Sequence, residues 1–342
     1  MAQKRRKQAD DGLSELNYQT LNEDFYAGDP ADYFMQRLSG LLLLKGKPEA
    51  IRALLADGIE TGGVRIQLQP GTTPDARSEE EDTESQDRFF TADAWLLLHH
   101  ASETLLRLYL AHAKGVPCPA LEIARERQPG SFKKKVFERF MRSSPSPEHH
   151  GENGVVFYGS PTAAGLVGYD EDGRNALLSN VEGLLRLFAS IFLDAEAYNA
   201  IKHSMAIRTG NSRLEVKVDD MDLGTTQGPH IEYVGIRQTQ ERSVWARKTL
   251  WFDFDLIVAQ VYVAQRLILA LWLMARHQYL GAELDSVPPL GSPTRDELLR
   301  SESITWTSMA RDLLYDQLDD TAEQRPRDEE ADPPTGEGPD DA

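Results

Sequence analysis

Apolar residues recur at helical spacing over long windows of this chain and alternate at strand spacing in only a few short ones, so the pattern predicts a mostly α protein. The first helical window follows Asp29-Pro30-Ala31-Asp32, a helix-start signature, and carries Tyr33, Phe34, Leu38 and Leu41 to Leu44. Gly46-Lys47-Pro48 breaks it, and a short second helix is expected to about Leu55. Val64 to Leu68 alternates like a short strand. The strongest helical pattern runs from Phe89 to His112 and stops at Gly115-Val116-Pro117, with glycine after the last turn and proline just beyond. Shorter helices are expected over 119–128 and 131–143, then a long Pro-, Gly-, Ser- and His-rich loop over 144–176 with a small hairpin at Val155 to Tyr158.

A long helix is expected over 177–206. Leu214 to Val218 and Ile231 to Ile236 then alternate as two strands joined across a Gly-rich tip. Segment 243–253 reads either as a third strand or as the start of the next helix. That next helix, Leu256 to Ala275, is hydrophobic nearly all round but holds Gln260, Gln265 and Arg266. Such polar residues are costly in lipid, so it reads as the central helix of a bundle and not as a membrane span. A last helix is expected over 294–314. The predicted fold is a helical bundle of about six to eight helices with a small β-hairpin insertion at 212–240.

Charge refines the domain picture. The formal net charge is -18, but residues 316–342 carry net -9 and residues 70–88 net -5. These are read as a disordered acidic tail and a disordered acidic linker. They flank a helical subdomain at 29–69 and the main bundle at 89–315, and a flexible N-terminal segment spans 1–28. The acidity therefore says little about the folded surface, and the tail is a candidate contact for a basic partner protein. The best candidate for a basic patch, Lys133-Lys134-Lys135 with Arg139 and Arg142 and with Arg125 and Arg127 just upstream, is either a solvated helix face or a phosphate-binding patch. The single cysteine, Cys118, allows no disulfide within the chain and no cysteine metal cluster, which fits a reducing cytoplasm. Lys4-Arg5-Arg6-Lys7 is followed by no apolar run, so no signal peptide is expected.

Candidate chemistry lies on two helices. Trp95, His99, Glu103 and Arg107 recur every four residues and form one stripe, either a structural ion-pair row or the wall of a site. Further on, Tyr198-Asn199-Ala200-Ile201-Lys202-His203 closes a helix and places Asn199 and His203 on one face. No H-E-x-x-H, P-loop, dinucleotide fingerprint or nucleophile elbow occurs, and neither a metal nor another cofactor is expected.

Arg107-Leu108-Tyr109-Leu110-Ala111-His112 has the spacing R-x4-H, and in this the chain resembles the HEPN superfamily of small helical bundles from bacterial defence and toxin systems. The resemblance implies a metal-independent ribonuclease that acts on RNA as a homodimer. His112 would be the acid/base and Arg107 would stabilise the phosphorane. Leu108 stands where active members usually carry a polar residue. The Y-N-x-hydrophobic-K-H string is similar to segments of HEPN-like bacterial proteins. That implies His203 as a second catalytic candidate, with Tyr198, Asn199 and Lys202, and Glu103 from the stripe, contacting substrate. The alternative is a non-catalytic interaction or scaffold module of the same fold.

Overall fold

Helix-capping chemistry sets the first two elements. Ser14 caps α1 (Glu15–Tyr26) with a reciprocal Ser14–Asn17 capping box, and the Asp29 carboxylate caps α2 (Pro30–Gly46), with Pro30 preset for the first turn. The computed structural model describes residues 12–47, 59–61, 64–66, 79–126, 128–160, 169–203, 207–218, 221–238, 243–251, 253–284, 290–299 and 309–312, with a few isolated positions besides. The expected helix to Leu55 and the acidic tail at 316–342 lie outside the described residues. Strands β1 (Ile59–Thr61) and β2 (Val64–Ile66) pair as a small antiparallel ribbon.

The main bundle is built on two long helices, α3 (Glu79–Ala113) and α9 (Phe254–Leu280), which pack extensively on one another and on α2. Helix α3 begins ten residues earlier than its apolar stripe predicts, so residues 79–88 are helix and not linker. Glu79, Glu80, Glu81 and Asp82 stand in the first turn, where the helix dipole favours acids, and the absence of apolar residues over 79–88 in the sequence hid the helix from a periodicity reading. Around this pair lie α4 (Pro119–Arg125) and α5 (Pro129–Val136), the latter running on into a π-helical turn at Phe137–Arg142. Next come α6 (Pro147–Tyr158), α7 (Glu171–Leu193) and α8 (Glu196–Lys202). Among the described residues two helices, α7 and α9, are long and apolar enough to cross a membrane, and both bury most of that stretch in the bundle.

The segment 144–176 is not the expected loop with a hairpin. It contains α6, started by the Ser146 hydroxyl and Pro147 and ended at Gly159 in the left-handed region (φ 71°). A Cβ at Gly159 would come within 2.9 Å of the Met274 sulfur. Gly159→Ala is expected to cost about 1–2 kcal/mol from the left-handed backbone alone, read as a drop in the urea midpoint, whereas Gly281→Ala, with the same φ sign but open space, should cost less. The helix expected over 177–206 is two. It starts earlier, capped by Asp170, and breaks at Asp194, where the backbone leaves the helical region (φ -82°, ψ 74°) before α8 begins.

The β insertion is an antiparallel sheet ordered β3 (Ile207–Val218), β4 (Met221–Gln238), β5 (Ser243–Trp251) and β6 (Met309–Asp312). The hairpin is larger than expected. The Gly-rich stretch read as its tip is part of β4, where Gly210 lies directly opposite His230 and leaves room for its ring. Segment 243–253 is mostly strand. Of the helix expected over 294–314, the described residues show α10 (Arg295–Leu299) as helix, whereas Met309–Asp312 is strand and pairs with β5. Ile231, Tyr233, Ala246 and Leu250 form the buried face of the sheet, and Val234 and Trp245 stand exposed on the other. One apolar core joins Tyr26, Phe34, Leu98, Phe188, Ile231 and Ile268, so α1, α2, the bundle and the sheet share it. Helix α1 thus orders residues 15–26 of the N-terminal segment, which includes the stretch from Tyr18 to Tyr26 expected to be partly ordered.

Candidate functional site

The α3 stripe runs from the core to the surface. Trp95 and His99 are buried, while the Glu103 and Arg107 side chains keep 28% and 21% exposure and emerge together. His99 Nε2 lies 3.2 Å from the Phe192 carbonyl oxygen, which can only accept, so Nε2 carries the proton and Nδ1 is left without a hydrogen-bond partner. The Tyr198 ring stacks on His99 at 3.8 Å between centroids and 9° between planes. Lys202 lies 5.5 Å over the other part of this stack. Burial pushes the His99 pKa down to about 4; Glu103 and the Phe192 carbonyl act against it, and Lys133 and Lys202 add to it.

Four of the seven predicted site residues, Glu103, Arg107, Tyr198 and Lys202, thus gather around His99 and the exposed end of its stripe. The other three do not join them. Asn199 and His203 are exposed on α8, where the pair four residues apart is joined through the backbone, His203 N–H donating to the Asn199 carbonyl.

Arg107 and His112 are not brought together. Helix α3 continues through Ala113, and residues five apart on a continuous helix point about 140° away from one another. The Arg107 guanidinium donates twice to Glu103 Oε1, at 2.9 and 2.7 Å, and once to the Glu126 carbonyl at 2.9 Å, and it lies 4.1 Å over the Phe132 ring. His112 faces the opposite side, buried between α1 and α9. Its Nδ1–H donates to the Leu108 carbonyl at 2.6 Å, so Nε2 accepts from the Tyr26 hydroxyl at 2.7 Å. Burial pushes the His112 pKa down to about 4, partly offset by the Leu108 carbonyl. The Tyr26 and Tyr279 rings pack about it.

Three members of the basic cluster are also committed. Lys135 pairs with Glu126, Lys133 lies 5.9 Å over the Phe192 ring, and Arg139 turns inward. Its partner there, Glu182, is a buried carboxylate that no sequence reading singled out. Glu182 Oε1 and Oε2 accept from Arg139 at 3.2 and 3.3 Å, Oε1 from Arg186 at 2.8 Å and Oε2 from Asn153 at 3.2 Å. Tyr109 donates to Asn153 at 2.7 Å and accepts from Arg139 at 3.0 Å. The Glu182–Arg186 spacing of four was the one local signal of this network; its other members come from α3, α6 and the π-helical turn.

Two cavities flank Arg107, about 370 Å³ between α3, α4 and α5, and about 460 Å³ against Phe25, Leu108 and Trp272. Among the described residues no three His, Cys, Asp or Glu side chains converge as metal ligands. No protein-family model, curated protein or solved structure matches the chain.

Proposed function

We propose that this protein is a non-catalytic helical binding module, in which the HEPN-like resemblance extends to architecture and to pairing of protomers, and not to RNA cleavage. One observation carries this reading: both ring nitrogens of His112 are spent inside the core, one on the Leu108 carbonyl and one on the Tyr26 hydroxyl. An acid/base must reach the proton it moves within hydrogen-bond distance, and it works best with a pKa near the operating pH. His112 meets neither requirement, and Arg107 is already engaged by the Glu103 carboxylate and the Glu126 carbonyl. What α3 offers to a ligand instead is the pair of cavities on either side of Arg107.

The test is incubation of a labelled mixed RNA pool with the purified full chain, without metal, beside His112→Ala and His203→Ala. No cleavage by any of the three is expected. Cleavage by the unmodified protein that disappears in one variant overturns the reading and identifies the working histidine. The same protein should elute as a dimer on sizing if protomers pair as the resemblance implies.

A further inference from the structure

Helix α5 and the π-helical turn after it bury one side, with Phe132, Val136 and Phe140 in the core, and leave the other bare. Phe137 and Met141, four residues apart on the bare side, keep 52% and 45% exposure. Lys134 and Arg142 stand exposed beside them. Among the described residues neither cation has an ion-pair partner, unlike Lys135, held by Glu126, and Arg139, held by Glu182. Lys133, at the start of this side, meets the Phe192 ring and no carboxylate. The acid nearest in sequence, Glu138, pairs with none of the three and lines the cavity with Lys135 and Arg139. Two bare apolar side chains therefore lie among three cations that no carboxylate neutralises by contact.

A segment that fits this surface needs apolar anchors among acids, without bases. Strand β6 ends at Asp312, and the sequence after it begins Leu313-Leu314-Tyr315-Asp316-Gln317-Leu318-Asp319-Asp320. These are the last large apolar residues of the chain, and no lysine or arginine follows Asp312 until Arg325. The rest of the acidic tail offers charge but no anchor. Strand β6 pairs with β5, with Ala310 opposite Lys248. Lys248 pairs with Glu196 at the start of α8, and Asp194, at the break before α8, is within electrostatic reach of both Lys248 and Lys133. The end of the sheet and the start of the basic side thus border one break. The six residues from Asp312 to Leu318 extend up to about 20 Å.

We propose that residues 313–320 dock on the Phe137–Met141 side of the same chain. Leu314 and Leu318, spaced in sequence as Phe137 and Met141 are, cover these two side chains, and Asp316, Asp319 and Asp320 meet Lys134, Arg142 and Lys133. Tethering at β6 favours the chain's own segment over that of a second copy, because a short linker holds it at an effective concentration on the order of millimolar. The basic partner of the acidic tail is then part of the chain itself. This goes beyond the binding-module reading and would stand even if RNA were cleaved.

The experiment is disulfide trapping in the full chain at low protein concentration, with the anchors and charges left in place. Cysteines are introduced by Ser144→Cys, just past the π-helical turn, and Gln317→Cys. Leu16→Cys with Gln317→Cys is the comparison, since Leu16 on α1 is 71% exposed. Cys118 is buried and is kept. Under mild oxidation the first pair should form a disulfide within one chain at least tenfold faster than the comparison pair. Lys134→Glu with Arg142→Glu should slow it at least fivefold, and adding Asp316→Lys with Asp319→Lys should restore the rate. All these substitutions lie at exposed positions or beyond β6, and far-ultraviolet circular dichroism checks that the fold is kept. A rate no faster than the comparison, or one indifferent to charge reversal, overturns the proposal. A disulfide that joins two chains overturns it as well and assigns the surface to a second copy.

Discussion

Replacing Glu182 with alanine should destabilise the protein by about 3–5 kcal/mol, the cost expected when one partner of a buried ion pair is removed and the others are left charged. The Glu182 side chain is only 2% exposed and holds two guanidinium groups, Arg139 and Arg186, with side chains 13% and 18% exposed. Arg186 in turn donates to the carbonyls of Phe140 and Ser143, at the end of the π-helical turn, and Arg139 stacks 4.9 Å from the Phe140 ring centroid. Loss of the carboxylate would therefore free the turn that connects α5 to α6 as well as leave charge uncompensated. Burial alone would raise the Glu182 pKa, but Arg139, Asn153 and Arg186 outweigh it and hold the carboxyl below its ordinary value. A depressed carboxylate adds stability above its unfolded pKa and loses it as pH falls through the folded one, so this contribution is lost only at acid pH, below the usual carboxylate range. Urea unfolding at neutral pH measures the effect. Glu152→Ala is the control, because that carboxylate meets the same Arg139 at 42% exposure and should cost no more than about 1 kcal/mol. A Glu182→Ala loss no larger than that of Glu152→Ala would show that the network does not hold the turn.

The parts of this fold that were legible in the sequence are those with a local signal. Phe89 to His112 carries apolar residues at helical spacing and a glycine–proline stop, and the helix is there. The helix over 147–158 was hidden because Gly151, Gly154 and the adjacent His149 and His150 resemble a loop, although Ser146-Pro147 is a cap followed by a first-turn proline. Asn153 and Gly154 are buried in that helix for a tertiary reason, the approach of α6 to Tyr109 and Glu182. The break at Asp194 has no proline or glycine to mark it, although the backbone there leaves the helical region (ψ 74°).

The site divides along the same line. The Glu103–Arg107 pair is four residues apart, and its ion pair was readable from spacing. The spacing of Arg107 and His112 is equally visible, but the partner that settles the role of His112, Tyr26, lies 86 residues away. The stack of Tyr198 on His99 joins two helices whose apposition no local pattern encodes.

Acidification from pH 7 to pH 4.5 should remove several kcal/mol of stability, most of it through two histidines. Burial is the largest cause in both, and it pushes His99 and His112 down to about 4. In the unfolded chain each would titrate near about 6.5. Above pH 6.5 both states hold the neutral ring and the histidines contribute no pH dependence. Between about 6.5 and 4 the unfolded state binds a proton that the folded state refuses, so stability falls as pH falls. The full shift corresponds to roughly 3 kcal/mol per histidine. Together the two approach the total of about 5–15 kcal/mol that keeps a domain folded. The charged groups around His99 are Glu103, Lys133 and Lys202, of which only Glu103 favours the imidazolium. His112 faces Tyr26 and Tyr279 and has no carboxylate among its pKa determinants. Urea midpoints measured from pH 7.5 to 4.5 give the slope. His99→Phe keeps an aromatic ring against Tyr198, and His112→Gln keeps a side-chain hydrogen-bonding group. Each should lower stability at pH 7 yet flatten the slope between pH 6.5 and 4.5, and the double variant should flatten it most. An unchanged slope in the double variant would assign the acid sensitivity to other groups, His100 and His149, which burial also pushes down, or the carboxylates, whose window lies lower.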